Sequence, residues 1–287
     1  MKKQIYSSST IYCVTLLLFL TVFQAVAQDQ EVNDFSVFIF ADMEGCSGLT
    51  TRDQILTEEG RLRMAEDMNA CIRGCFEAGA KGVIIRDGHG GGMNVDPKLI
   101  DKRARLVQGA TNSRFEGIDS CQALILLGYH AMARTPEAIM AHSYSSATIQ
   151  SMYLNGKLVG EIGVDAAIAA EHKVPVVMVS GDDKVAIEAQ NWIPGVVICQ
   201  VKTATSAHSG TCLPLEDAHA LIVKKTKEAL AKRKTIALIK VIYPATMKWD
   251  FIPEGSPRVY ADDFKPFTNP KSKELTSDSV EKLLSGK

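Results

Sequence analysis

The sequence predicts an α/β fold: a mainly parallel sheet with flanking helices and a smaller second lobe. Three observations carry this expectation. Short apolar runs of strand length recur at Phe35–Ala41 (FSVFIFA), Gly82–Arg86 (GVIIR), Ala123–Leu127 (ALILL) and Val174–Ser180 (VPVVMVS). Segments with helical spacing alternate with them, as right-handed crossovers between parallel strands require. Three of the runs also lead within three residues into acidic residues or histidines, where open α/β sheets gather their ligands.

Each element has its own signal. Residues 28–34 (QDQEVND) are a polar lead-in to the first strand. In Thr57–Ala78 the apolar positions Leu62, Met64, Ala65, Met68, Cys71, Ile72, Cys75 and Phe76 recur at helical spacing, and Gly79 follows as a C-cap. After the strands Gly82–Arg86 and Ala123–Leu127, the segments Ser151–Leu154 and Lys157–Val159 flank Asn155-Gly156, a type I′ hairpin signal. A helix follows over Glu161–Ala170. Val174–Ser180 is the next strand, and Gly181-Asp182-Asp183 opens another helix with Asp182 or Asp183 as N-cap. Val196–Val201 reads as a strand, and Leu215–Arg233 as a helix whose acidic start complements its dipole. Thr235–Tyr243 (TIALIKVIY) reads as a strand opening a C-terminal segment whose last 20 or so residues are polar and without clear pattern. The expected organisation is therefore a core over residues 28–243 and a C-terminal segment over 244–287.

The chain is 287 residues long, 46% hydrophobic and 23% charged, enough apolar material for a sizeable core. Lys2-Lys3, the apolar run Ile11–Val22 and Ala25-Val26-Ala27 together read as a secretory signal peptide cut after Ala27. That run is too short for a typical membrane span. The protein is thus expected to be periplasmic or secreted, with no membrane association after cleavage. Loss of Lys2 and Lys3, with no acid lost, takes the net charge from −1 to −3, so nucleic acid is not an expected partner. Six cysteines remain, without a CxxC pair or a dense disulfide pattern.

The chemistry sits at the strand ends. Asp42 and Glu44 follow the first run, His89 the second and His130 the third. Asp42 and Glu44 are two apart, so an extended chain turns both to one side. Two such carboxylates repel, and they need a cation or a cluster of donors to ionise together. Carboxylates and imidazoles on one sheet edge suit a borderline cation such as zinc. Glu161, at a helix start, reads either as a first-turn glutamate favoured by the dipole or as a further ligand. His142, in a polar loop, reads either as a histidine bonded to backbone or as an acid–base group. His172 is expected to be solvated at a helix end, His219 to lie on a surface helix, and His208 in a polar loop. Gly88–Gly92 does not make a phosphate loop, because GxGxxG would need glycine at Met93; GxSxG and HExxH are absent.

Five motifs, taken together, resemble the zinc-dependent D-aminopeptidases of the DppA type: Ala41-Asp-Met-Glu-Gly-Cys-Ser-Gly48; Asp87-Gly-His89; Gly128-Tyr-His-Ala131 with Thr135-Pro136 and Met140-Ala-His142; Val159-Gly-Glu-Ile-Gly163; and Val174–Asp183. The resemblance runs in order from about Phe35 to about Pro253. It implies an α/β core with a smaller lobe, a homo-oligomer built from rings, and two zinc ions per subunit. It places the bridging ligand on Asp42, the first metal also on Glu44 and His89, and the second also on His130 and Glu161. The catalytic histidine falls on His142. The expected reaction is release of N-terminal, D-configured residues from short peptides by metal-activated water. Two rivals stand beside it: a metal-dependent hydrolase of another amide or ester, and a non-catalytic periplasmic binding protein. The His130–His142 spacing is one residue longer than the family pattern, and Lys265–Lys287 lacks the family's apolar C-terminal helix.

Overall fold

A computed structural model describes residues 34–285, and the expected signal peptide lies outside the described residues. Numbered in chain order, the central sheet holds β1 (Ser36–Ala41), β2 (Gly82–Asp87), β3 (Ala104–Val107), β4 (Ala123–Leu127), β7 (Val176–Gly181) and β8 (Val197–Gln200). All neighbours pair in parallel, in the order β3-β2-β1-β4-β7-β8. The apolar runs are continuous because both faces are covered: every residue of β4 and β7 is buried.

The helices are α1 (Arg52–Ile55), α2 (Glu58–Glu77), α3 (Glu161–Glu171), α4 (Asp183–Trp192), α5 (Leu215–Lys232) and α6 (Val280–Ser285). Helix α2 starts at Thr57, whose hydroxyl accepts from the Gly60 amide, and α4 at Asp182, whose carboxylate accepts from Lys184 and Val185. Helices α2 and α5 pack on each other beside the sheet. Cys71 and Cys75 are buried in this layer as free thiols.

A second, antiparallel sheet makes the smaller layer. Its strands β5 (Ile149–Leu154), β6 (Lys157–Leu158), β11 (Ala245–Phe251) and β12 (Ser272–Ser277) run in the order β12-β11-β5-β6. The expected hairpin joins β5 to β6, with Asn155 and Gly156 at φ 50° and 77°, as a type I′ turn needs. A small hairpin of β9 (Lys202–Ser206) and β10 (Ser209–Cys212) completes the strands.

Two expectations are corrected. Thr235–Tyr243 is not a strand; Leu238, Ile242 and Tyr243 are exposed and the segment is irregular. An apolar run becomes a strand only where an edge offers hydrogen bonds. Here the chain meets the edge of β5 later, with Met247 opposite Leu154. The C-terminal residues do carry regular structure, since β12 and α6 form there and α6 buries Val280 and Leu283.

His172 is also not simply solvated. Its Nδ1 lies 2.7 Å from Asp119 Oδ1 and its Nε2 3.3 Å from Glu281 Oε2 on α6. Burial pushes the His172 pKa down, but hydrogen bonds to the two carboxylates outweigh it and raise the pKa above 6.5. The ion pairs therefore stabilise fully below about pH 6.5 and are lost as pH rises through the raised value. His172→Gln is expected to lower Tm by about 1–4 °C at pH 5.5, the range of a partly exposed pair, and by less at pH 9. Thermal melts of both proteins across that range check this; a Tm difference that grows with pH contradicts it.

Candidate metal centre

Strand order reverses between β1 and β4, and a crevice opens outside the carboxyl ends of such strands. Ala41 stands opposite both Asp87 and Leu127, so the residues beyond all three strands leave the sheet at one level. The Asp42 amide donates to Leu127 O (2.8 Å), and the Gly88 amide to Ala41 O (2.8 Å). The loops after β1 and β4 meet backbone to backbone: Gly45 N donates to Gly128 O at 2.7 Å. A Cβ on Gly45 would stand 2.0 Å from Tyr129 O, so only glycine fits. Lys202 braces the same loop from below, its buried ammonium donating to Glu44 O (2.7 Å), Cys46 O (2.9 Å) and Leu49 O.

This frame brings the six sequence-predicted residues together. His89 Nδ1 lies 3.0 Å from Asp42 Oδ1 and 3.0 Å from Glu44 Oε2. His130 Nε2 lies 3.2 Å from Glu161 Oε1 and 3.5 Å from Asp42 Oδ2. The two oxygens of Asp42 thus face two different imidazoles. Ligand atoms of Asp42, Glu44 and His130 lie within 4.8 Å of one another, and so do those of His130, His142 and Glu161. The His142 ring stacks on that of His130, centroids 3.8 Å apart at 12°. Its Nδ1 lies 2.8 Å from Met140 O, and its Nε2 3.9 Å from Glu44 Oε1. Glu161 opens α3 but turns its side chain to His130 and to the Tyr144 amide (2.8 Å). His208 and His219 stay outside: His208 packs its ring on Tyr260, and His219 faces Asp67 at 3.3 Å.

The electrostatics call for cations. Burial opposes ionisation of Glu44, yet its hydrogen bond to His89 and the charge of His89, with His130 beyond it, hold its carboxyl well below the usual range. Burial likewise opposes charging of His89 and His130; the facing carboxylates still raise their pKa values to about 11 and about 10. His142 goes the other way, lowered by burial and by His130. The hydrogen-bond roles make the same point. His130 Nδ1 faces only a carbonyl, Ala131 O at 3.0 Å, so Nδ1 carries the proton. The Nε2 lone pair then points at two carboxylates, an arrangement that holds together only with a proton or metal ion between them. Three carboxylates and facing imidazoles are a donor set that fits zinc.

The supporting roles of several residues escaped the sequence reading. Asp87, fully buried, accepts from the Asn94 and Val95 amides and the Asn94 side chain, shaping the glycine loop that carries His89. Arg114 is sandwiched between the rings of Phe40 and Tyr144. It pairs with Asp165 through Nε and Nη2, and its Nη2 lies 3.6 Å from Glu161 Oε2. Tyr129 donates its hydroxyl to the same Asp165 at 2.5 Å. Asp42, Glu44, His89, His142 and Glu161 line a cavity of about 340 Å³, with Arg52, Arg114 and Arg258 also in its lining.

Known proteins share this arrangement of sequence and fold. A family model described as D-aminopeptidase matches residues 35–262. The D-aminopeptidase of Bacillus subtilis (strain 168) is 35% identical over 208 residues, 70% of this chain and 75% of that protein. The solved structure of the Zn-dependent D-aminopeptidase DppA from Bacillus subtilis, described as a self-compartmentalizing protease, superposes with a TM-score of 0.76 at 28% identity. It covers 88% of this chain and 95% of that one.

Proposed function

The chain belongs to the D-aminopeptidase family and is a metal-dependent aminopeptidase, and from that premise we propose a dizinc enzyme that releases N-terminal D-amino acids from short peptides. The observation that carries the two-metal reading is Asp42, whose Oδ1 faces His89 and whose Oδ2 faces His130. Asp42, Glu44 and His89 would hold one zinc; Asp42, His130 and Glu161 would hold the other. When bound, zinc supplies Lewis acidity that polarises the scissile carbonyl and lowers the pKa of the attacking water toward about 7.

The chain's own groups do the rest. His142 keeps its proton on Nδ1, because Met140 O can only accept, so Nε2 is free to take a proton from water. Its lowered pKa keeps it neutral for that step, and the same nitrogen can pass the proton to the leaving amine. Arg114 holds Glu161 from behind and limits its rotation. A non-catalytic binding protein would have no use for such a cluster.

The self-compartmentalizing character of the structural relative supports a homo-oligomer here. The Lys2-Lys3 start, apolar run and Ala25-Val26-Ala27 support export, and a mature N-terminus at Gln28 is the expected result of sequencing the exported protein.

Zinc analysis tests the reading. Gently purified protein is expected to carry close to two equivalents of zinc per subunit, to hydrolyse D-aminoacyl amides faster than L-aminoacyl amides, and to lose activity on chelation. Activity indifferent to chelator in a protein free of transition metal would overturn it.

A further inference from the structure

We propose that the cavity at the metal centre carries a subsite for the free C-terminal carboxylate of a short peptide, built on Arg258 with Arg52 in the same lining. The inference rests on the aminopeptidase reading and narrows its substrate class.

The cavity is lined by the metal-site carboxylates Asp42, Glu44 and Glu161 and by Arg52, Arg114 and Arg258. Arg114, the third arginine of the lining, is already committed to Asp165 and Glu161. Among the described residues, neither Arg52 nor Arg258 forms an ion pair. Arg258 is nevertheless held: its Nη1 donates to the Ser146 hydroxyl at 2.6 Å, a neutral partner that leaves the guanidinium charge uncompensated.

The position of Arg258 is tied to the centre from two sides. The neighbouring Val259 amide donates to Ser146 O at 2.9 Å. Ser146 lies two residues from Tyr144, whose amide donates to Glu161. Tyr260 packs its ring against His142 at 6.2 Å and 71°. The segment 258–260 is therefore built onto the same loops that carry Glu161 and His142.

A guanidinium presents a planar fork that matches a carboxylate in two hydrogen bonds. An unmodified short peptide with apolar side chains has two charges, an ammonium at one end and a carboxylate at the other. The amine end would be held at the metal centre, and Arg258, in the lining of the same cavity, would meet the carboxylate. At about 340 Å³ the cavity is near the lower end of small-molecule sites, roughly 300–1,000 Å³, which suits a peptide of a few residues. The subsite would select short peptides with a free terminus over amidated or long ones.

The test compares kcat/KM for D-Ala-Gly and its C-terminal amide, D-Ala-Gly-NH₂, on the zinc-replete full-length enzyme. The wild type is expected to prefer the free acid by about 10- to 100-fold, the range of a charge-assisted hydrogen bond. Arg258→Ala should bring the ratio toward one, Arg258→Glu below one, and Arg258→Lys should keep part of the preference. Zinc content and Tm report whether each variant is folded, and Arg52→Ala, expected to lower the ratio in the same sense, provides a second reading on an independent element. A wild-type ratio near one, or a ratio unmoved in folded Arg258→Ala and Arg258→Glu, overturns the subsite and leaves the aminopeptidase reading intact. Hydrolysis of neither compound by zinc-loaded enzyme overturns both.

Discussion

Asp42→Ala is expected to empty both metal positions at once and to lower hydrolysis by roughly 10³-fold or more, since the lost Lewis acidity is worth several kcal/mol. The expectation follows from the two oxygens of one side chain. Oδ1 serves the His89 side and Oδ2 the His130 side, so one substitution removes an oxygen from each position. His89→Ala and Glu161→Ala act on one side each and are expected to retain about one zinc per subunit. Elemental analysis of the three variants separates the cases: equal loss of a single zinc from all three contradicts a bridging Asp42. Metal binding contributes folding energy, so Tm is measured alongside. Asp42→Asn, which keeps the volume and loses the charge, covers the case where the alanine variant does not fold.

The strand ends carried the site in the sequence because β1, β2 and β4 are buried on both faces. A continuous apolar run has no alternation to blur its end, so Asp42, His89 and His130, within three residues of those ends, stood out as ligand candidates. Glu161 was ambiguous for a physical reason: a first-turn glutamate has the same local signature whether it faces solvent or His130. Lys202 was invisible. Its partners Glu44 and Leu49 lie more than 150 residues away, and it sits just past the run Val196–Val201 with no local signal of burial. Arg114 and Asp165 were hidden likewise, being 51 residues apart and joined only by the fold. Strands β3 and β12 sit at sheet edges, with few buried residues to imprint a period on the sequence. Thr235–Tyr243 failed in the opposite sense, having the composition of a strand and no edge to pair with.

His142→Ala is expected to keep both zinc ions and to lose roughly 10²–10⁴ in kcat, the range of a positioned acid–base group. The loop between His130 and His142 brings the second ring back onto the first. The chain between them bends through positive φ at Arg134 (69°), Glu137 (51°) and Met140 (47°), and the His142 amide returns to Ala131 O at 3.1 Å. Backbone held in that sparsely populated region is a cost that the surrounding structure must over-determine, and such residues gather at functional sites. The ring stacks on His130 with Nε2 toward the cluster. The loss should fall in kcat more than in KM, because a proton carrier acts in the transition state more than in the ground state. Two other results have distinct signatures. Loss of one zinc together with activity would make His142 a ligand, which its proximity to His130 and Glu161 permits. A metal-replete, folded variant with wild-type kcat would reduce it to a loop histidine tied to Met140 O. The measurement that divides the three is zinc per subunit and kcat on the same sample, because only the acid–base role separates them.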